Sequence, residues 1–272
     1  MSGEDYHRSI IHPGLTTSTS GTFYFAYGSN LSITQMRIRC DHNPDSSRPI
    51  ALARLDVHSW IICQRGYANV VRLPPSTPTN DASTVWGLLY NMSPEDESRL
   101  DLYEGHDPMR NSDPVVNPDP EGQVERPYLQ GNWDYNKQYL AVTVTKWLVD
   151  PTDFGVEVPN WQPESQHQTT VRVLVYVDEV RTKPGAINWE YIGRMNRGIR
   201  ESVALGLPES WVNAVMRKDI PAGVEVDDDG YVGTADGYVE VEATEAQDHV
   251  AEKEVKEWHE TNGHESVQEG WR

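Results

Sequence analysis

The sequence predicts a single α+β domain, with a mixed or antiparallel sheet curved around its own core and helices outside. Three observations carry that expectation. Segments with apolar residues at period two alternate with segments at helical period between residues 22 and 220. No linker or internal repeat divides those segments into two cores. The chain has 272 residues, which suits one domain with extensions, and 37% of them are hydrophobic, enough to build a core.

The strands follow from β-branched and aromatic residues in alternation. They are expected at Thr22–Tyr27, Ile50–Gln64 (one strand or two), Ala68–Leu73, Thr84–Met92, Tyr139–Leu148 and Thr169–Asp178. Helices fit Ile33–Cys40, Pro94–Tyr103, Asn188–Leu205 and Pro208–Lys218. The second has a strong start, with Ser93 as N-cap, Pro94 at the first helical position and acids in the first turn, and Gly105 stops it. The strand aromatics Trp60, Trp86, Trp147 and Tyr176 are read as core. Residues 106–136, with five prolines, and 150–167, with three, are read as long surface insertions.

Charge is unevenly spread. The formal total is −19, but residues 225–272 hold 15 acidic and 3 basic residues, a net −12 in 48 positions, so the first 224 residues carry −7. Three zones follow: a flexible lead over 1–21, a folded body over 22–224 and an acidic, flexible tail over 225–272. The acidic balance argues against a nucleic-acid partner, because phosphate contacts need clustered Lys and Arg. The longest apolar runs fall far short of the roughly 20 residues that cross a bilayer, and residues 1–10 do not read as a signal peptide, so a cytoplasmic location is expected. Two cysteines cannot build a disulfide framework; Cys40 and Cys63 read as reduced thiols, Cys63 within an apolar run. The nine histidines form no recognised ligand spacing with cysteine or carboxylate, and no metal is expected.

Two segments can carry chemistry. In Phe23-Tyr24-Phe25-Ala26-Tyr27-Gly28-Ser29-Asn30-Leu31, a strand of aromatics breaks into a small polar turn before a helix. Successive backbone N–H groups at such a turn form a site for a carboxylate or an oxyanion. The same residues also fit an ordinary strand-to-helix turn with Ser29 or Asn30 as N-cap. Nucleotide loops and the G-x-S-x-G elbow are excluded by spacing, and a Ser29 nucleophile would need a positioned base. In Leu100-Asp101-Leu102-Tyr103-Glu104-Gly105, Leu100 and Glu104 share a helix face, so Glu104 is expected to turn inward and Asp101 to stay solvated. Burial and the negative helix end both disfavour a charged carboxylate there, which suits a general base. A solvated helix-end glutamate is the plain alternative.

Together FYFAYGSNL at 23–31, TVWGLLYNMSPEDESRLDLYEG at 84–105 and GLP at 206–208 resemble the γ-glutamylcyclotransferase family over roughly residues 22–220. The resemblance implies a small mixed β-barrel with peripheral helices and a cofactor-free enzyme acting on a small γ-glutamyl substrate, as a monomer or homodimer. In that family the substrate's α-amine attacks its own γ-carbonyl, releasing 5-oxoproline and the attached amine or peptide. It further implies Glu104 as the catalytic base and then acid, with Tyr24, Phe25, Ala26, Tyr27, Gly28, Ser29 and Asn30 around the glutamyl group. A substrate-contacting tyrosine follows the E-G pair in the family; Tyr139 is its best match here and Tyr128 the competitor. Tyr176 resembles another pocket tyrosine. Similarly elaborated members serve glutathione-conjugate processing and sulfur-containing secondary metabolism such as gliotoxin biosynthesis. Two other readings stay open: a noncatalytic γ-glutamyl or carboxylate-binding module, and a serine hydrolase using Ser29.

Overall fold

The computed structural model describes residues 21–107, 124–159, 161–162 and 168–224. The lead, the acidic tail and much of both insertions lie outside the described residues. Among the described residues seven strands form: β1 Thr22–Ala26, β2 Ala51–Asp56, β3 His58–Ile62, β4 Ala68–Arg72, β5 Thr84–Met92, β6 Asn136–Trp147 and β7 Thr169–Val177. The same residues hold four α-helices: α1 Ile33–Arg39, α2 Pro94–Tyr103, α3 Trp189–Leu205 and α4 Glu209–Ala214. The last of the expected helices splits, because α4 ends at Ala214 and a 3₁₀ turn at Met216–Lys218 follows.

Five strands close into a barrel in the order β1-β5-β2-β6-β7. All neighbours run antiparallel except the closing seam, where β1 lies parallel to β7 with Tyr24 opposite Leu174. The register sorts side chains by face. One face carries Phe25, Leu89, Ala53, Leu55, Val85, Leu140, Val142, Val144, Val171 and Val173, which are all buried and fill the barrel. The opposite face carries Tyr24, Tyr90, Tyr176 and Lys137, whose polar ends reach the helices.

The expected long strand is indeed two. Val57, a β-branched residue, sits at φ +59° between β2 and β3, a conformation that costs about 1–2 kcal/mol and turns the chain off the barrel. The hairpin β3–β4 is therefore a sheet of its own. It returns to the barrel through Trp60, whose Nε1–H donates to the Tyr27 carbonyl at 3.0 Å.

Both insertions pack inward where they are described. Phe154 sets its ring against Phe23 with centroids 6.4 Å apart, and Val156 is fully buried. Residues 124–136 return to the body with Trp133 buried against His106, ring centroids 3.9 Å apart, and Gln130 bonded to Asp178. They are docked segments rather than surface loops. Cys40 and Cys63 are both free and buried, and burial pushes the Cys40 thiol up to about 12.

His106 follows the end of α2 and is fully buried, with no partner for either ring nitrogen among the described residues. Burial, then the Lys137 ammonium, pushes its imidazolium down to about 4 from 6.5. The unfolded chain therefore binds a proton that the fold refuses, so stability is full above pH 6.5 and falls as pH drops toward 4. Denaturant unfolding is expected to show about 2 kcal/mol less stability at pH 5 than at pH 7.5 from this group, a loss absent in His106→Phe. Equal pH slopes in the two proteins would refute the assignment.

Candidate active site

The barrel strand β1 runs into Tyr27, Gly28 and a 3₁₀ turn at Ser29–Leu31, closed by Leu31 N–H to the Gly28 carbonyl at 2.9 Å and Ser32 N–H to the Ser29 carbonyl at 3.0 Å. Three residues of α3 hold this loop from behind. Tyr191 Oη accepts the Ser29 N–H at 3.1 Å, Gly198 packs against Leu31, and Glu201 accepts from Ser32 Oγ, Thr34 N and Thr34 Oγ1, capping α1 from another helix. Gly28 is required by space: a Cβ there would lie 2.9 Å from Tyr191 Oη and 3.3 Å from the Ala68 Cβ. The loop differs from a run of outward amides, because the Ser29 N–H is taken by Tyr191. The Gly28 and Asn30 amides are left without an acceptor among the described residues.

Asn30 joins the loop to α2. Its Nδ2 donates to Tyr24 Oη at 2.7 Å and to Glu104 Oε1 at 3.0 Å, while its Oδ1 accepts from Gln35 Nε2 at 2.8 Å and Arg39 Nη1 at 3.1 Å. Arg39 Nη1 also donates to Glu104 Oε1 at 3.0 Å. Glu104 is the C-cap of α2, and Gly105 at φ +65° and His106 close a Schellman turn, with Gly105 N–H to Leu102 O at 3.1 Å and His106 N–H to Asp101 O at 2.8 Å. The glutamate turns inward as expected, its side chain 13% exposed. It does not stand alone against burial and the helix dipole, since a guanidinium and a carboxamide stabilise its charge.

Asp101 reverses its expected place. It is buried, accepts from Lys137 Nζ at 2.8 Å and from Tyr176 Oη at 2.7 Å, and Lys137 also reaches Glu97. Burial pushes the Asp101 carboxyl up; for Lys137 the two carboxylates outweigh burial and push the ammonium up.

The expected substrate residues divide. Tyr24, Tyr27, Gly28, Ser29 and Asn30 meet Glu104's surroundings, whereas Phe25 and Ala26 are wholly buried and serve as barrel wall. Tyr27 Oη donates to the Tyr176 carbonyl at 2.5 Å, and Tyr176 packs edge-on to Tyr24 at 5.6 Å, so Tyr176 supports the loop with its hydroxyl spent on Asp101. Tyr139 does not reach the loop. It sits two strands from Tyr24 across Leu174, its ring 4.3 Å beneath the Arg172 guanidinium. Tyr128 packs on His106 and Trp133 instead.

The tyrosine near the loop is Tyr135, which precedes β6, donates to the Ala68 carbonyl at 2.8 Å and feels the charge of Glu104. Burial pushes the phenols of Tyr24, Tyr27, Tyr135, Tyr176 and Tyr191 up, so all five keep their protons at neutral pH. Gln35 and Arg39 join the site through Asn30 and Glu104. Their signal was a polar pair four residues apart on the helix that follows the loop. Ser29 Oγ accepts from Gln35 Nε2 at 2.8 Å, and its amide partner is Tyr191, so neither neighbour is a base that could activate a serine nucleophile.

Gly28→Ala is expected to cost about 1–3 kcal/mol by pressing on Tyr191. The cost should shrink when Tyr191→Phe removes the hydroxyl that the Cβ meets. Denaturant unfolding of the two single variants and the double variant measures this; strictly additive losses would show that the contact is not the cause.

The family model described as Gamma-glutamyl cyclotransferase, AIG2-like matches residues 24–147. A sequence comparison with curated proteins finds no match. Among solved structures, the chain is similar to one named gamma-glutamyl cyclotransferase, at 17% identity over 85% of this chain and 98% of that one, with a TM-score of 0.41. It is also similar to an uncharacterized protein from Homo sapiens at 17% identity, 85% and 98% coverage and TM-score 0.40. A yeast gamma-glutamyl cyclotransferase specific to glutathione aligns at 11% identity over 70% of this chain and 90% of that one, with TM-score 0.38. The match to the gamma-glutamyl cyclotransferase, AIG2-like family thus falls on residues 24–147, the segment that carries both the polar loop and Glu104.

Proposed function

We propose that the protein cyclises γ-glutamyl compounds, releasing 5-oxoproline and the amine, peptide or conjugate attached to the γ-carbon. The observation that carries this reading is the 3.0 Å bond between Asn30 Nδ2 and Glu104 Oε1, which registers a carboxylate against a loop with unspent amides. The substrate brings its own nucleophile, so the protein's task is to fold the glutamyl chain until the α-nitrogen lies on the γ-carbon. Tethering of this kind supplies up to about 7–11 kcal/mol of the barrier in well-oriented cases.

The loop amides of Gly28 and Asn30 suit a glutamyl carboxylate or the oxyanion of the tetrahedral intermediate, where one donor is worth about 2.7–4 kcal/mol. With the α-amine neutral, Glu104 accepts one of its protons as the new C–N bond forms. It returns a proton to the departing nitrogen as the old C–N bond breaks. The carboxylate ends as it began, and each step moves one proton.

Incubation with γ-glutamyl-alanine, glutathione and glutathione conjugates tests the class and names the leaving group. Release of 5-oxoproline supports the reading. Glutamate would mean hydrolysis, and binding without turnover would mean a binding module. Glu104→Gln keeps the hydrogen bonds to Arg39 or Asn30 within reach but removes the base, and is expected to lower turnover about 10²–10⁴-fold with the melting temperature nearly unchanged. Turnover close to wild type in that variant would remove Glu104 from the chemistry.

A further inference from the structure

We propose that Arg39 is the positioning residue of this site: by anchoring Oε1 of Glu104, it leaves Oε2 as the oxygen that exchanges the proton with substrate. The proposal rests on the cyclisation reading and adds the orientation of its base. Glu104 is bound unevenly. Oε1 takes two donors, Asn30 Nδ2 and Arg39 Nη1, both at 3.0 Å, while Oε2 has no donor among the described residues. A charge-assisted bond holds the lone pairs of the oxygen it binds, so proton transfer falls to the other oxygen.

Arg39 is itself fixed. Its side chain is 8% exposed, the same Nη1 bonds Asn30 Oδ1 at 3.1 Å, and its guanidinium lies 4.9 Å over the Tyr103 ring of α2. Arg39 and Tyr103 thereby clasp α1 to the helix that ends in Glu104. A guanidinium suits an anchor, because it keeps its protons at every working pH and does not compete with Glu104 for the proton in transit. The proton passes from the attacking α-amine to Oε2 and on to the leaving nitrogen, and Arg39 gains and loses nothing. Nη1 itself is spent on two protein oxygens, Asn30 Oδ1 and Glu104 Oε1, and a role in holding a substrate carboxylate through the other nitrogens would show as a KM effect.

The test uses the full chain and the γ-glutamyl substrate that the wild type turns over. Arg39→Ala, and Arg39→Met as a variant that keeps the buried stem volume, are expected to lose about 10²-fold in kcat with KM little changed, the cost of a base displaced by an ångström. Arg39→Lys should recover part of that loss, and millimolar guanidinium ion, well below denaturing levels, should raise kcat of Arg39→Ala but not of wild type. Unchanged kcat, or a KM increase at unchanged kcat, overturns the proposal.

If the wild type releases no 5-oxoproline, the cyclisation reading fails separately. Crystal structures of Arg39→Ala and Arg39→Met then decide the anchor. A Glu104 carboxylate turned away from Asn30 supports it, and an unmoved carboxylate overturns it.

Discussion

The carboxamide of Asn30 makes all four hydrogen bonds that its geometry allows, and the remainder of the site is arranged around that fact. Its backbone carbonyl is held as well, by Tyr90 Oη at 3.1 Å. A buried amide with two donors and two acceptors in use has one orientation, because turning it over would set donor against donor and carbonyl against carboxylate. The barrel, through Tyr24 and Tyr90, and the first helix, through Gln35 and Arg39, thus agree on a single place for the side chain that meets Glu104. Aspartate would supply no donor for Tyr24 or Glu104, so the residue type follows from the charge of its neighbour.

Helix α2 is tied at two levels. Its C-cap, Glu104, meets the loop, and one turn earlier Asp101 meets Lys137 and Tyr176 on the barrel. Buried ion pairs of this kind contribute little net stability, since desolvation offsets their attraction. Their effect is on register: a helix slipped by one residue would leave the buried Lys137 ammonium without its partner carboxylates. Tyr176 belongs to both levels, because its hydroxyl holds Asp101 while its carbonyl receives Tyr27. The polar outer face of the barrel is therefore a jig for the helix, and the apolar inner face is the core.

Local chemistry made the elements legible. Helix Pro94–Tyr103 and strand Thr84–Met92 have the bounds that their cap and alternation indicate, since both signals act within a few residues. Glu104's inward turn followed from helical spacing with Leu100. What escaped was decided across the fold. Tyr139 and Tyr135 lie four residues apart, and only the pairing of β6 with β7 determines which of them stands near the loop. Asp101 looked solvated because nothing nearby in the sequence marks Lys137 as its partner. Arg39 could be read as a surface cation of a short helix until Glu104, 65 residues on, came beside it. The parallel seam of β1 on β7 is likewise a long-range choice.

The grip of α3 on the loop has a consequence for how the protein is made. Tyr191 and Glu201 reach back 162 to 169 residues to hold Ser29, Ser32 and Thr34. During synthesis from the N-terminus, the loop and Glu104 leave the ribosome long before the helix that seats them. The site is consequently among the last parts of the molecule to become native. Until α3 docks, the nascent chain carries the residues of the site without their geometry, and the site is assembled only when the third helix arrives.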